Sequence, residues 1–115
     1  MKTELFNNGI RAYNNKQFYD AHEYWEDLWN DYKLDDSLFI QGLIQLTVGY
    51  FHITNCNLKG ARSMLIKCTP KLEEYRPSHR GLNIDNILKK ISLSIKCIEN
   101  IDTHSEFEWD IIPKL

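Results

Sequence analysis

The sequence predicts an all-α protein: a single compact bundle of about five helices, made of two antiparallel helix pairs, a fifth helix and a packed C-terminal tail. Three observations predict it. Apolar residues recur at spacings of three and four along nearly the whole chain. Proline and glycine number only three and five, so few positions interrupt that period. The 115 residues are 43% apolar and 26% charged, enough to give one domain, residues 1–115, a core of its own.

Each element has its own signal. Leu5, Phe6, Gly9, Ile10 and Tyr13 share one side of a helix from about Lys2 to Asn14, and Asn14-Asn15 marks its turn. The second helix spans about Lys16 to Tyr32, with Phe18, Ala21, Trp25, Leu28, Trp29 and Tyr32 on its apolar face. Asp35-Asp36-Ser37 supplies an N-cap for a third helix, Leu38 to Ile53. That helix is apolar nearly all round, which places it in the middle of the bundle. Asn57 caps a fourth helix running to about Tyr75, in which Pro70 predicts a kink or a break. Pro77 and Gly81 mark a loop. Asp85 caps the fifth helix, whose stripe is Ile84, Ile87, Leu88, Ile91, Ile95 and Ile98. From Asp102 onward, Phe107, Trp109, Ile111 and Ile112 are too apolar for a free tail, so an extended segment packed on the bundle is expected. A weak internal echo pairs Phe6-x-x-Gly9 with Phe39-x-x-Gly42, and Asn15 to Ala21 with Asn55 to Ala61.

Composition bounds the function. A net charge of -2 argues against a nucleic-acid or anionic-membrane binder, since both need a dense basic face. The longest apolar stretch, near Gly42 to Ile53, is about 12 residues against the roughly 20 of a spanning helix. No apolar run follows Met1-Lys2-Thr3-Glu4 as a secretory leader requires. Cys56, Cys68 and Cys97 are odd in number and lack CxxC spacing, which predicts reduced thiols in the cytoplasm, or in the stroma if the gene is plastid-borne. No Ser-His-Asp order, P-loop or dinucleotide fingerprint is present.

The informative residues are polar ones beside apolar faces. His22, Glu26 and Trp29 lie at i, i+4 and i+7 and form one stripe, while Glu23 points away from it. Gln41, Gln45 and His52 form a matching stripe on the third helix. Unpartnered amides and imidazoles cost a few kcal/mol each when buried, so the two stripes are expected to face and bond one another. The candidate pocket is His22, Glu23, Glu26, Gln41, Gln45 and His52, walled by Trp25, Trp29 and Tyr50. It reads as a hydrogen-bonded network that fixes helix register, as a small-ligand pocket, or as a metal or acid–base site using His22, Glu26 and His52. His22-Glu23-x-x-Glu26 lacks the second histidine of the zinc-protease HExxH motif. His79-Arg80 with Arg76 forms a small basic loop, read as solvated or as an anion site. Asn57-x-x-Gly60 at a helix start likewise suits an anion or simply close packing.

These stretches in combination resemble a known family. Phe18-Tyr19-Asp20-Ala21-His22-Glu23-Tyr24-Trp25-Glu26-Asp27-Leu28-Trp29, Phe39-Ile40-Gln41-Gly42-Leu43-Ile44-Gln45-Leu46, Tyr50-Phe51-His52 and Asn57-Leu58-Lys59-Gly60-Ala61 are similar to the AHExxExxW helix, the QGLIQxA helix ending in His, and the GNxxGA turn of the domain of unknown function 309 family. The resemblance extends from about Phe6 to Asp85. It implies a bundle of about five helices and places the family's polar signature on His22, Glu23, Glu26, Gln41, Gln45 and His52. Cys56 stands where the family has Gly, and Thr47 at a small apolar position. No activity comes with the resemblance. Two functions are therefore carried forward: a non-catalytic interaction or accessory protein with a protein partner or a second copy of itself, and a small-ligand or metal-binding enzyme of the metal-assisted hydrolase type. A divalent metal is the one cofactor these residues suggest.

Overall fold

The computed structural model describes residues 1–115. Five α-helices carry the fold: α1 (Lys2–Asn14), α2 (Phe18–Asp31), α3 (Ser37–Thr54), α4 (Leu58–Glu73) and α5 (Ile84–Glu99). A two-stranded hairpin, β1 (Ser78–His79) with β2 (Leu82–Asn83), joins α4 to α5. Two short 3-10 turns, His104–Glu106 and Trp109–Ile111, close the chain. α1 pairs with α2 and α3 with α4; α3 also packs on α2, and α5 on α4. The all-α bundle expected from the periodicity is therefore the fold, with α3 at its centre.

Both helix pairs turn in the same way. In the first, Lys16 adopts φ 60° while the Gln17 N–H donates to Ala12 O and the Lys16 N–H to Tyr13 O, both at 2.8 Å. In the second, Cys56 adopts φ 62°, with the Asn57 N–H on His52 O (2.8 Å) and the Cys56 N–H on Ile53 O (3.1 Å). Each is a Schellman motif, which uses a left-handed residue to satisfy the last helical carbonyls. Lys16 is thus the turn residue, and α2 begins at Phe18. Asn57 then caps α4 as expected, its Oδ1 accepting the Gly60 N–H at 2.8 Å.

Close contact draws α1 onto α2. Gly9 lies beneath the buried Trp25 indole, whose Nε1 donates to Phe6 O at 3.2 Å. The core continues through Phe18, Leu28, Phe39, Leu43, Leu46 and Tyr50 into Leu65, Leu72, Ile87 and Ile91.

Several sequence expectations are corrected. Pro70 does not break α4, which runs unbroken to Glu73. Pro70 and Ile66 are both exposed, so the carbonyl that loses its amide partner can turn to water. The α5 cap is Asn83, whose Oδ1 accepts the Asn86 N–H at 3.0 Å, and Asp85 instead binds Arg76 at 2.5 Å. Asp36 sits at the N-cap of α3 but makes no side-chain cap bond. The Pro77–Gly81 loop is a hairpin whose turn residues, Arg80 (φ 50°) and Gly81 (φ 76°), both have the positive φ that a type I′ turn requires.

The tail packs as expected, though partly in 3-10 turns. Phe107 is buried, Trp109 stacks on Phe18 with centroids 5.9 Å apart, and the Tyr13 hydroxyl donates to Pro113 O at 2.7 Å. The radius of gyration, 13.3 Å, matches the ~13 Å of a compact chain this long, so no part of the tail stands away. No helix is long and apolar enough to cross a membrane.

Candidate functional site

The seam between α2 and α3 opens into a groove of ≈ 210 Å³, lined by Tyr19 and His22 from α2 and by Val48, Phe51 and His52 from α3. Helix geometry assembles it. Tyr19 and His22 lie three residues apart, and Val48, Phe51 and His52 lie at i, i+3 and i+4, so each set forms one ridge. The Tyr19 ring is 5.8 Å from Phe51 and 6.0 Å from His22. His22 Nε2 lies 3.5 Å from Glu26 Oε1, and its Nδ1 lies 3.9 Å from Glu23 Oε1. The Glu23 carboxylate beside Tyr19 holds that phenol above the usual tyrosine range.

The predicted site residues fare differently. His22 and His52 both line the groove, and Glu26 lies beside His22. Glu23 is exposed and reaches the site only at its edge. Gln41 and Gln45 lie half-buried on α3, but the Gln45 Oε1 is buried without a hydrogen-bond partner. The expected bonds across the interface are therefore not formed as a closed network. No three His, Cys, Asp or Glu side chains converge as a metal-holding group, so His22, Glu26 and His52 do not form a ready ligand set.

Two of the predicted walls belong elsewhere. Trp25 is spent on α1 at Gly9 and Phe6. Tyr50 faces α5, its hydroxyl 2.8 Å from Ser94 Oγ. His52 lies two positions after Tyr50, which is about 200° around a helix, so the two cannot share a face. Trp29 stays on the outer surface, 41% exposed. The walls that sequence reasoning missed are Tyr19, Val48 and Phe51. Their signal was spacing, because Tyr19 is i-3 from His22 and Val48 is i-4 from His52.

The basic loop is likewise spent internally. Arg80 grips Asp36 with Nε at 2.6 Å and Nη2 at 2.9 Å, and His79 Nε2 lies 2.8 Å from the same carboxylate. The Arg80 guanidinium, with help from His79, lowers the Asp36 carboxyl to about 2. Arg76 is taken by Asp85. The hairpin is thereby clasped to the start of α3.

Charge distinguishes the two sides of the seam. α2 carries Asp20, Glu23, Glu26, Asp27 and Asp31 and no Lys or Arg, while α3 carries no Asp, Glu, Lys or Arg. Only Glu26 and Glu23 lie beside His22 at the groove; Asp20, Asp27 and Asp31 fall about 140–180° around α2 from it.

The family model described as Domain of unknown function (DUF309) matches residues 6–64, just over half of the chain. The chain belongs to the DUF309 family. The DUF309 segment takes in α1 from Phe6 onward, α2, α3 and the first part of α4, and so contains both Schellman turns and every residue of the groove. The hairpin, α5 and the tail lie beyond it. No curated protein and no solved structure matches the chain.

Proposed function

We propose that this DUF309 protein is a non-catalytic docking module whose α2–α3 face receives a basic, amphipathic helical segment of a protein partner. The groove carries the reading. At ≈ 210 Å³ it falls below the roughly 300–1,000 Å³ of pockets that enclose small molecules, and it suits one or two apolar side chains of a partner. Glu26 and Glu23, beside His22, supply the acidic partners for cationic residues next to that anchor. Tyr19 at 56% and Trp29 at 41% exposure are the aromatic residues that partner surfaces favour.

The test is titration of the isotope-labelled protein with a synthetic Lys/Leu amphipathic helix and, in parallel, with its Glu/Leu counterpart. The basic peptide should shift the amides of Tyr19, His22, Val48 and Phe51 and change Trp29 fluorescence, with Val48→Glu abolishing both effects. Equal binding of the acidic peptide, or shifts confined to α4 and α5, would overturn the reading. A concentration-dependent mass without peptide would instead assign the face to a second copy of the chain.

A second reading rests on the two imidazoles that line one groove. His22 and His52, with Glu26 beside His22, would take a divalent metal after a side-chain rearrangement and present it for hydrolysis. Stoichiometric zinc in the wild type and none in folded His22→Ala supports it; no zinc in either removes it.

A further inference from the structure

The turn between α3 and α4 carries a constellation that the groove does not use. Cys56, the left-handed residue of that turn, is exposed, and its Sγ lies 3.5 Å from Nε2 of His104 in the tail. His104, though not Cys56, lines an adjoining cavity of ≈ 250 Å³. Lys16 gives this cavity a cation, Thr54 and Ser105 give it hydroxyls, and Phe18 and Trp109 give it an aromatic wall. The other two thiols are less exposed. Cys68 is fully buried, and burial pushes its thiol up to about 12; Cys97 is half-buried. One accessible nucleophile, a base within hydrogen-bond reach and a recess with a cation and aromatic surface are the parts of a covalent site.

We propose that Cys56 and His104 form a thiol-exchange site that accepts a low-molecular-weight disulfide bearing a carboxylate. With Nε2 unprotonated, His104 takes the thiol proton as Cys56 Sγ attacks one sulfur of the disulfide. The original S–S bond breaks as the new one to Cys56 forms, and the expelled thiolate recovers the proton from His104. Cys56 is oxidised and the leaving sulfur reduced, so the exchange needs no further reactant. Lys16 pairs with the carboxylate and the aromatic rings cover the apolar part of the reagent.

The folded 115-residue chain is treated with dithiobis-nitrobenzoate, an aromatic disulfide with a carboxylate on each ring, and separately with uncharged dithiodipyridine. Peptide mapping by mass spectrometry should place the first adduct on Cys56. His104→Gln should slow both reagents by at least about 10-fold, whereas Lys16→Gln should slow only the anionic one. Labelling of Cys97 as fast as Cys56, or an unchanged rate in a His104→Gln variant that melts like wild type, would overturn the proposal and leave His104 as a strut for the tail. The wild-type rate is also compared with free cysteine at the same pH. A Cys56 no faster than free cysteine overturns the proposal even where the variant fails to fold.

Discussion

At position 56 the backbone occupies φ 62°, where a Cβ crowds the following carbonyl and only glycine fits freely. Lys16 meets the same cost in the first turn, at φ 60°. The cost is tolerated because each turn satisfies helical carbonyls that would otherwise lack partners. Comparing Cys56→Gly with Cys56→Ala isolates it, since both variants lose the thiol and its contact with His104. The glycine variant should be more stable than the alanine variant by about 1 kcal/mol, seen as a melting temperature higher by a few degrees. Equal stabilities would mean that the turn relaxes out of the left-handed region. The departure from the family's glycine made this turn stand out in the sequence. Lys16 gave no such signal, because Asn14-Asn15 beside it looked like a turn in its own right.

At the scale of elements, the helices were legible because their apolar stripes repeat at the helical period, and Asn57 was legible as a cap because its short side chain reaches back to an amide. The hairpin was not. Ser78 to Asn83 is too short for alternation to register, and Arg80 is not a residue that announces a left-handed turn position. The polar stripes of α2 and α3 were legible as stripes, but rotation about each helix decided their neighbours, which turned Tyr50 toward α5 and Trp25 toward α1. The Phe6-x-x-Gly9 echo marked a real crossing. A Cβ on Gly9 would lie 2.1 Å from the Trp25 Nε1 of a fully buried indole, whereas on Gly42 it would meet the end of the Leu72 side chain at 2.9 Å. Gly9→Ala should therefore cost about 2 kcal/mol in urea unfolding, the overpacking outweighing the helix-propensity gain of roughly 1 kcal/mol. Gly42→Ala should cost far less, because a leucine terminus can rotate aside. The reverse order would show that the indole moves freely, and that the α1–α2 contact is not set by Gly9.

Across the whole molecule, the ends of the chain are tied by a few polar contacts laid over apolar packing. The Tyr13 hydroxyl bonds Pro113 O, the Leu115 N–H donates to Asn14 Oδ1 at 2.8 Å, and Trp109 covers Phe18. This attachment has a pH signature. Burial raises the Tyr13 and Tyr50 phenols well above their ordinary 10.0, so the unfolded chain loses these protons first. Their stabilisation is complete below about pH 10 and is lost as pH rises beyond it. Asp36 works in the opposite direction. Its folded carboxyl is lowered to about 2 from 3.8, and with the side chain 13% exposed the clasp contributes on the order of 1–2 kcal/mol. That contribution is present above about pH 3.8 and is lost as pH falls toward 2. Stability followed by denaturant unfolding across pH should therefore decline at both ends. Tyr13→Phe should lose about 1–2 kcal/mol at neutral pH, because the Pro113 carbonyl loses its donor, yet its alkaline decline should be shallower than that of the wild type. Asp36→Asn should flatten only the acid limb. An alkaline limb unchanged by Tyr13→Phe would place the burden on Tyr50 and Ser94, and would show that the tail separates from α1 before the bundle opens.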